Sequence, residues 1–158
     1  MKPSFADFKR PPLVDMIIVE TPTQFVTNVH NAIYDGADAF GFQMERLKPE
    51  FRTEETLTKM FSHLGDRPLY ITNYRGAYNH EMTEEARLDE LKLALRCGAS
   101  LIDITGDTFD PVPGELTKNP AAIEKQKKFI EEVHEMGGQV LMSSHIFRFL
   151  PEEEVLAV

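Results

Sequence analysis

A chain of 158 residues has the size of one compact domain. It is 42% hydrophobic and 27% charged, and it has no apolar run near the roughly 18 to 20 residues that cross a bilayer, so a membrane partner is not expected. The net charge of -9 argues against nucleic acid, because neutralising phosphates takes clustered Lys and Arg.

In chain order, Met16 to Glu20 reads as a first strand, and Thr21 with Pro22 then caps the helix FVTNVHNAIY. YDGADAFGFQ ends that helix on a glycine and leads into a strand over Ala39 to Gln43. Thr53 with Glu54 and Glu55 starts a second helix. Gly65 stops it, and Pro68 opens a strand over Leu69 to Asn73. GAYNHEM then reads as a lid loop. Thr83 with Glu84 and Glu85 caps the helix LDELKLALR, and RCGASLIDIT delivers a strand over Leu101 to Thr105. Asn119 with Pro120 caps the Ile123 to Met136 helix, and EMGGQVLMSS gives a fifth strand over Val140 to Ser144. Phe147 and Phe149 alternate around Arg148 as core and surface, and Pro151 with Glu152 to Glu154 begins another helix.

Lys125, Lys127 and Lys128 are interleaved with Glu124, Glu131 and Glu132, the pattern of a solvated helix face. The single cysteine, Cys97, reads as a small packing residue. With no internal disulfide and no charged-then-apolar leader, a cytoplasmic setting is expected.

Helices alternating with parallel strands fit either a doubly wound sheet or a (β/α)8 barrel, and periodicity does not choose between them. Both place their chemistry at the C-terminal ends of the strands. Those ends carry Glu20, Gln43, Asn73 with Tyr74 and Arg75, Thr105 with Asp107, and Ser144 with His145. ETPTQ follows the first strand where a dinucleotide fold would carry glycines. His145 is the candidate proton carrier, since an imidazole ordinarily titrates near about pH 6.5. His30, His63, His80 and His134 read as structural or exposed, and none has metal-ligand spacing to a partner, so no metal is expected.

VLMSSHIFRFLPEEE resembles the fifth strand of the type I 3-dehydroquinate dehydratase family: an apolar run, Ser, a residue, catalytic His, and a Pro that starts the next helix. RPLYIT resembles that family's third strand, TEEARLDELKLALRCGASLIDI its third helix and fourth strand, and GADAFGFQMERL lies where its second strand falls. The resemblance implies a TIM-barrel-like (β/α) repeat with about five of eight strand-helix units present. Residues 1–158 then form a single, partial barrel domain.

It implies a hydro-lyase that removes water from 3-dehydroquinate through a lysine Schiff base, in the shikimate pathway of aromatic amino acid biosynthesis, with His145 as proton shuttle and no cofactor. The lysine of the pattern would lie on the next strand, beyond Val158. Several expected pocket groups have changed: Gly41 and Gln43 stand where the family has Glu and Arg, Thr105 replaces an acid, Ile146 replaces an Asp, and the third-strand Arg is either displaced by one position to Arg75 or lost. Gln43, Tyr74, Arg75, Asp103 and Thr105 are the candidate ligands of a small carboxylate or carbonyl substrate. The alternative is a catalytically inactive barrel relative that binds a ligand or partner. An incomplete barrel has an apolar inner face and an unpaired strand edge, so a homo-oligomer, a dimer in its simplest form, is expected.

Overall fold

The structure, a computed structural model, describes residues 3–145, 149 and 151–156. Five parallel strands, β1 (Val14–Ile17), β2 (Ala39–Gln43), β3 (Leu69–Thr72), β4 (Leu101–Thr105) and β5 (Gln139–Ser143), form one sheet in the order β1-β2-β3-β4-β5. Between them run α1 (Pro22–Tyr34), α2 (Glu54–Phe61), α3 (Glu84–Arg96) and α4 (Pro120–Glu135), with a short α5 (Glu152–Val155) after β5.

The strand order decides between the two architectures left open by periodicity. A doubly wound sheet reverses direction at a switch point and covers both faces with helices. Here every crossover steps to the next neighbour in one direction, so right-handed connections place the four crossover helices, α1 to α4, on one face. That is the winding of a barrel, and the sheet is not closed.

The helices begin as their caps predict. Thr21 accepts from Gln24 N in a reciprocal capping box, Thr53 from Thr56 N, Thr83 from Ala86 N and Asn119 from Ala121 N. α1 and α3 end at Gly36 (φ 92°) and Gly98 (φ 117°), where only glycine takes the left-handed conformation without strain. In both, the glycine N–H and the following N–H close the last turn, Gly36 to Ile33 O and Ala37 to Ala32 O, Gly98 to Leu95 O and Ala99 to Ala94 O.

Alternation along the strands separates two faces. Ile17, Phe40, Phe42, Ile71, Ile102 and Ile104 are fully buried beneath the helices, against Phe25, Val29, Leu57, Leu91 and Val133. The ring of Phe25 meets Phe42 edge-on at 5.0 Å. The opposite face carries Met16, Gly41, Tyr70, Thr72, Asp103, Thr105, Leu141 and Ser143.

Three expectations need correction. β1 lies earlier than Met16 to Glu20: its pairing runs from Val14 with Ala39 to Ile17 with Phe42, and β2 ends one residue later, so Val19 and Glu20 have no strand to pair with. The inner face is largely polar rather than apolar, although Met16 and Leu141 are 41% and 45% exposed on it. Phe149 is fully exposed and is no core residue, while Ile146, Phe147 and Arg148 lie outside the described residues. No helix among the described residues is long and apolar enough to cross a membrane.

Candidate active site

The C-terminal ends of β2 to β5 and their loops enclose a cavity of about 480 Å³. Five of the six residues singled out from the sequence line it: Gln43, Tyr74, Arg75, Thr105 and His145. The sixth, Asp103, lies beneath it, 1% exposed, and accepts hydrogen bonds from two tyrosines of the cavity wall.

Asp103 is the hub of the inner face. Its Oδ2 accepts from the hydroxyls of Tyr70 and Tyr74, the latter at 2.5 Å, and its Oδ1 accepts from Ser143 at 2.7 Å. Three hydroxyl donors replace the water that a buried carboxylate otherwise needs. Burial pushes the Tyr74 phenol up to about 12, and the hydrogen bond to Asp103 pushes the same way. Burial and then the hydrogen bond to Asp103 raise Tyr70 further, and its contact with Tyr74 adds to the rise.

The ring of Tyr74, so fixed, stands edge-on to His145 at 4.5 Å between centroids. His145 also meets Glu115, which the sequence did not flag. Glu115 Oε2 lies 2.7 Å from His145 Nδ1 and also accepts the His145 backbone N–H at 2.8 Å. Glu115 belongs to the long β4–α4 loop and holds a left-handed backbone (φ 53°), one of three non-glycine residues among those described that do so. Such strain concentrates where surrounding contacts fix a functional group. A carboxylate on Nδ1 holds the imidazole as the Nδ1–H tautomer, which makes Nε2 the basic nitrogen.

Arg75 is bound to protein groups. Its Nε and Nη2 donate to Glu84 at 3.1 and 3.3 Å, and its Nη1 donates to Asp107 at 2.8 Å. Burial opposes ionisation of Asp107, but hydrogen bonds from Thr105, Arg75 and the Val112 N–H outweigh it and hold the carboxyl below its ordinary range. Thr105 thus serves Asp107, with its hydroxyl 2.7 Å from Oδ1.

A buried polar lattice supports the wall behind Tyr74. Arg52, 6% exposed, donates to Leu47 O, Glu45 O, Asn79 Oδ1 and Glu90 Oε2. Asn79 donates in turn to Asn73 Oδ1 and Tyr74 O, both at 2.9 Å. The GAYNHEM segment is therefore anchored through Asn79 and does not have the form of a lid. Glu45, also buried, accepts from the Thr72 hydroxyl at 3.0 Å and from the Tyr74 N–H at 3.4 Å.

Gly41 has a steric reason. A Cβ built there would lie 1.9 Å from Met16 Sδ and 3.2 Å from the Tyr70 ring, so the Met16 side chain occupies the space that an acid at position 41 would need. Gln43 keeps its place on the wall as a neutral amide. Among the described residues no group of three or more His, Cys, Asp and Glu is arranged to hold a metal ion. His30 and His63 do meet, edge-on at 5.3 Å, on the helical side of the sheet.

A singly wound parallel sheet with a polar site at its strand ends defines the class: an α/β protein of TIM-barrel-like fold, here as an open five-stranded sheet. Within that class the solved structures it resembles include two 3-dehydroquinate dehydratases. The enzyme from Enterococcus faecalis superposes with a TM-score of 0.65 at 21% identity, over 93% of this chain and 59% of that one. The enzyme from Geobacillus kaustophilus superposes with a TM-score of 0.71 at 14% identity, over 94% and 55%. A deoxyribose phosphate aldolase from Aeropyrum pernix matches with a TM-score of 0.51 at 17% identity, over 82% and 50%. The chain thus spans less than two thirds of each of these proteins. No protein-family model and no curated protein matches the sequence.

Proposed function

We propose that the cavity is the acid-base part of a dehydroquinase-like site, which eliminates water from a small oxygenated carboxylate carrying a carbonyl, with 3-dehydroquinate as the first substrate to test. The observation that supports this most is the pairing of His145 with Glu115 at 2.7 Å on the cavity wall, at the end of β5. Loss of water beside a carbonyl requires one group to take a proton from the adjacent carbon and to return a proton to the departing hydroxyl. An imidazole whose tautomer is fixed by a carboxylate does both in turn. This reading calls for a Schiff-base lysine, and among the described residues no lysine lines the cavity. The partial barrel domain, a cytoplasmic setting, a place in aromatic amino acid biosynthesis and self-association through the outer edges of β1 and β5 belong to the same reading.

One set of observations favours a second reading, a catalytically silent relative that binds a ligand or partner. Met16 fills the space above Gly41, and Arg75 is tied to Glu84 and Asp107. The two separate in one experiment on the protein carrying the following strand. The lyase reading predicts an absorbing enone product from 3-dehydroquinate, a borohydride-trapped adduct, and a rate loss of about 100-fold or more in His145→Ala. Neither product nor adduct, with 3-dehydroquinate still bound, leaves the silent reading standing.

A further inference from the structure

The carboxylates around the cavity are already taken. Glu84 and Asp107 hold Arg75, Glu84 also holds Arg87, and Glu115 holds His145. Asp103 is capped by three hydroxyls, and Glu45 accepts from Thr72 and the Tyr74 N–H. Glu20, beside the adjoining hollow, lies 3.7 Å from Lys48. One cation of the wall stands outside these pairs: among the described residues Arg46 has no ion pair and no hydrogen-bonded side-chain partner, although it lines both the cavity and that hollow.

The backbone that presents Arg46 is rigid. It is the exposed member of the 3-10 turn Met44–Arg46, whose neighbours Met44, Glu45 and Leu47 are all buried. The buried Arg52 clamps both sides of it through Glu45 O at 3.2 Å and Leu47 O at 2.9 Å, and Leu47 N closes the turn on Met44 O. A fixed backbone carrying an unpaired guanidinium at a cavity wall lowers the ordering cost of gripping an anion.

We infer that Arg46 is the specificity determinant of the site and takes the carboxylate of the ligand, with Gln43, three residues earlier, left to a neutral contact. The inference deepens the proposed function, since it names the group that would read the acid of that substrate. Arg75 and Arg87 have no such role, because Glu84 and Asp107 already neutralise them.

The test follows the arginine Nε–H resonances of the 15N-labelled 158-residue protein during titration with quinate, its methyl ester and inorganic phosphate. Quinate should shift the Arg46 resonance saturably, and both the methyl ester and the Arg46→Gln variant should bind about tenfold or more weakly, the loss of one charge-assisted contact. Arg46→Lys should recover part of the binding. Equal affinity of wild type and R46Q for quinate, no saturable shift at Arg46, or saturation by phosphate alone overturns the inference. The lyase assay on His145→Ala reads the proposed reaction separately, so failure of one does not decide the other.

Discussion

Replacing Asp103 tests whether the inner face is organised around one buried carboxylate. In Asp103→Asn the side chain keeps its shape but loses its charge, so three charge-assisted hydrogen bonds become at best neutral ones. A hydrogen bond to a charged group contributes about 1.5 to 3 kcal/mol and a neutral one about 0.5 to 1.5. The difference is about 1 kcal/mol for each of three bonds. Tyr70 and Tyr74 are only partly buried and recover some hydration, which brings the expected loss to about 2 kcal/mol, and Asp103→Ala, which also leaves a cavity, to about 3 to 4.

Urea unfolding followed by circular dichroism measures both variants. The same substitution should move Tyr74. With the carboxylate gone, only burial holds its phenol up, so its titration midpoint should fall from about 12 toward the ordinary value without reaching it. In the wild type the native phenol titrates above the unfolded one, so its contribution to stability is whole below the unfolded value, about pH 10, and is lost as the pH rises through about 12. A D103N variant within about 0.5 kcal/mol of wild type, the additivity error of such measurements, with an unchanged phenol titration would refute the hub.

Arg52→Ala removes a buried cation that four acceptors share and should destabilise the protein by about 3 to 5 kcal/mol in the same unfolding assay. Asp107 titrates lower in the folded protein than in the unfolded chain, so its stabilisation is complete above the ordinary carboxylate range and disappears as the pH falls below about 4; Asp107→Asn should flatten the acid limb of a stability-pH curve. Gly41→Ala should displace the Met16 side chain, visible as a shifted Met16 methyl resonance, at a cost of about 1 kcal/mol because a flexible thioether yields more easily than backbone.

The elements were legible because their ends are chemically marked. Thr21, Thr53, Thr83 and Asn119 cap helices for reasons local to four residues, and the glycine junctions close helices through neighbouring N–H groups. Once strands alternate with helices, the strand-end rule gathers Gln43, Tyr74, Arg75, Thr105 and His145, which indeed share one cavity. Partnerships across the sheet were not legible. Glu115 lies 30 residues before His145 in a loop with no periodic pattern, and its backbone conformation is unusual for a side chain-bearing residue. Arg87 sits in the first turns of an ordinary charged helix, yet it is 2% exposed because its guanidinium reaches Asn73 O. The polarity of the inner face was hidden as well, since LYIT and LIDIT read as apolar runs although their alternate members point away from the helices.

The pairing of His145 with Glu115 is tested most directly by the ring nitrogen resonances of His145 in the neutral protein, wild type against Glu115→Gln. The pair predicts a proton on Nδ1 and an acceptor nitrogen at Nε2 in the wild type, with a mixed tautomer once the carboxylate is neutralised. A wild-type ring protonated on Nε2, or identical spectra in the two proteins, would contradict it.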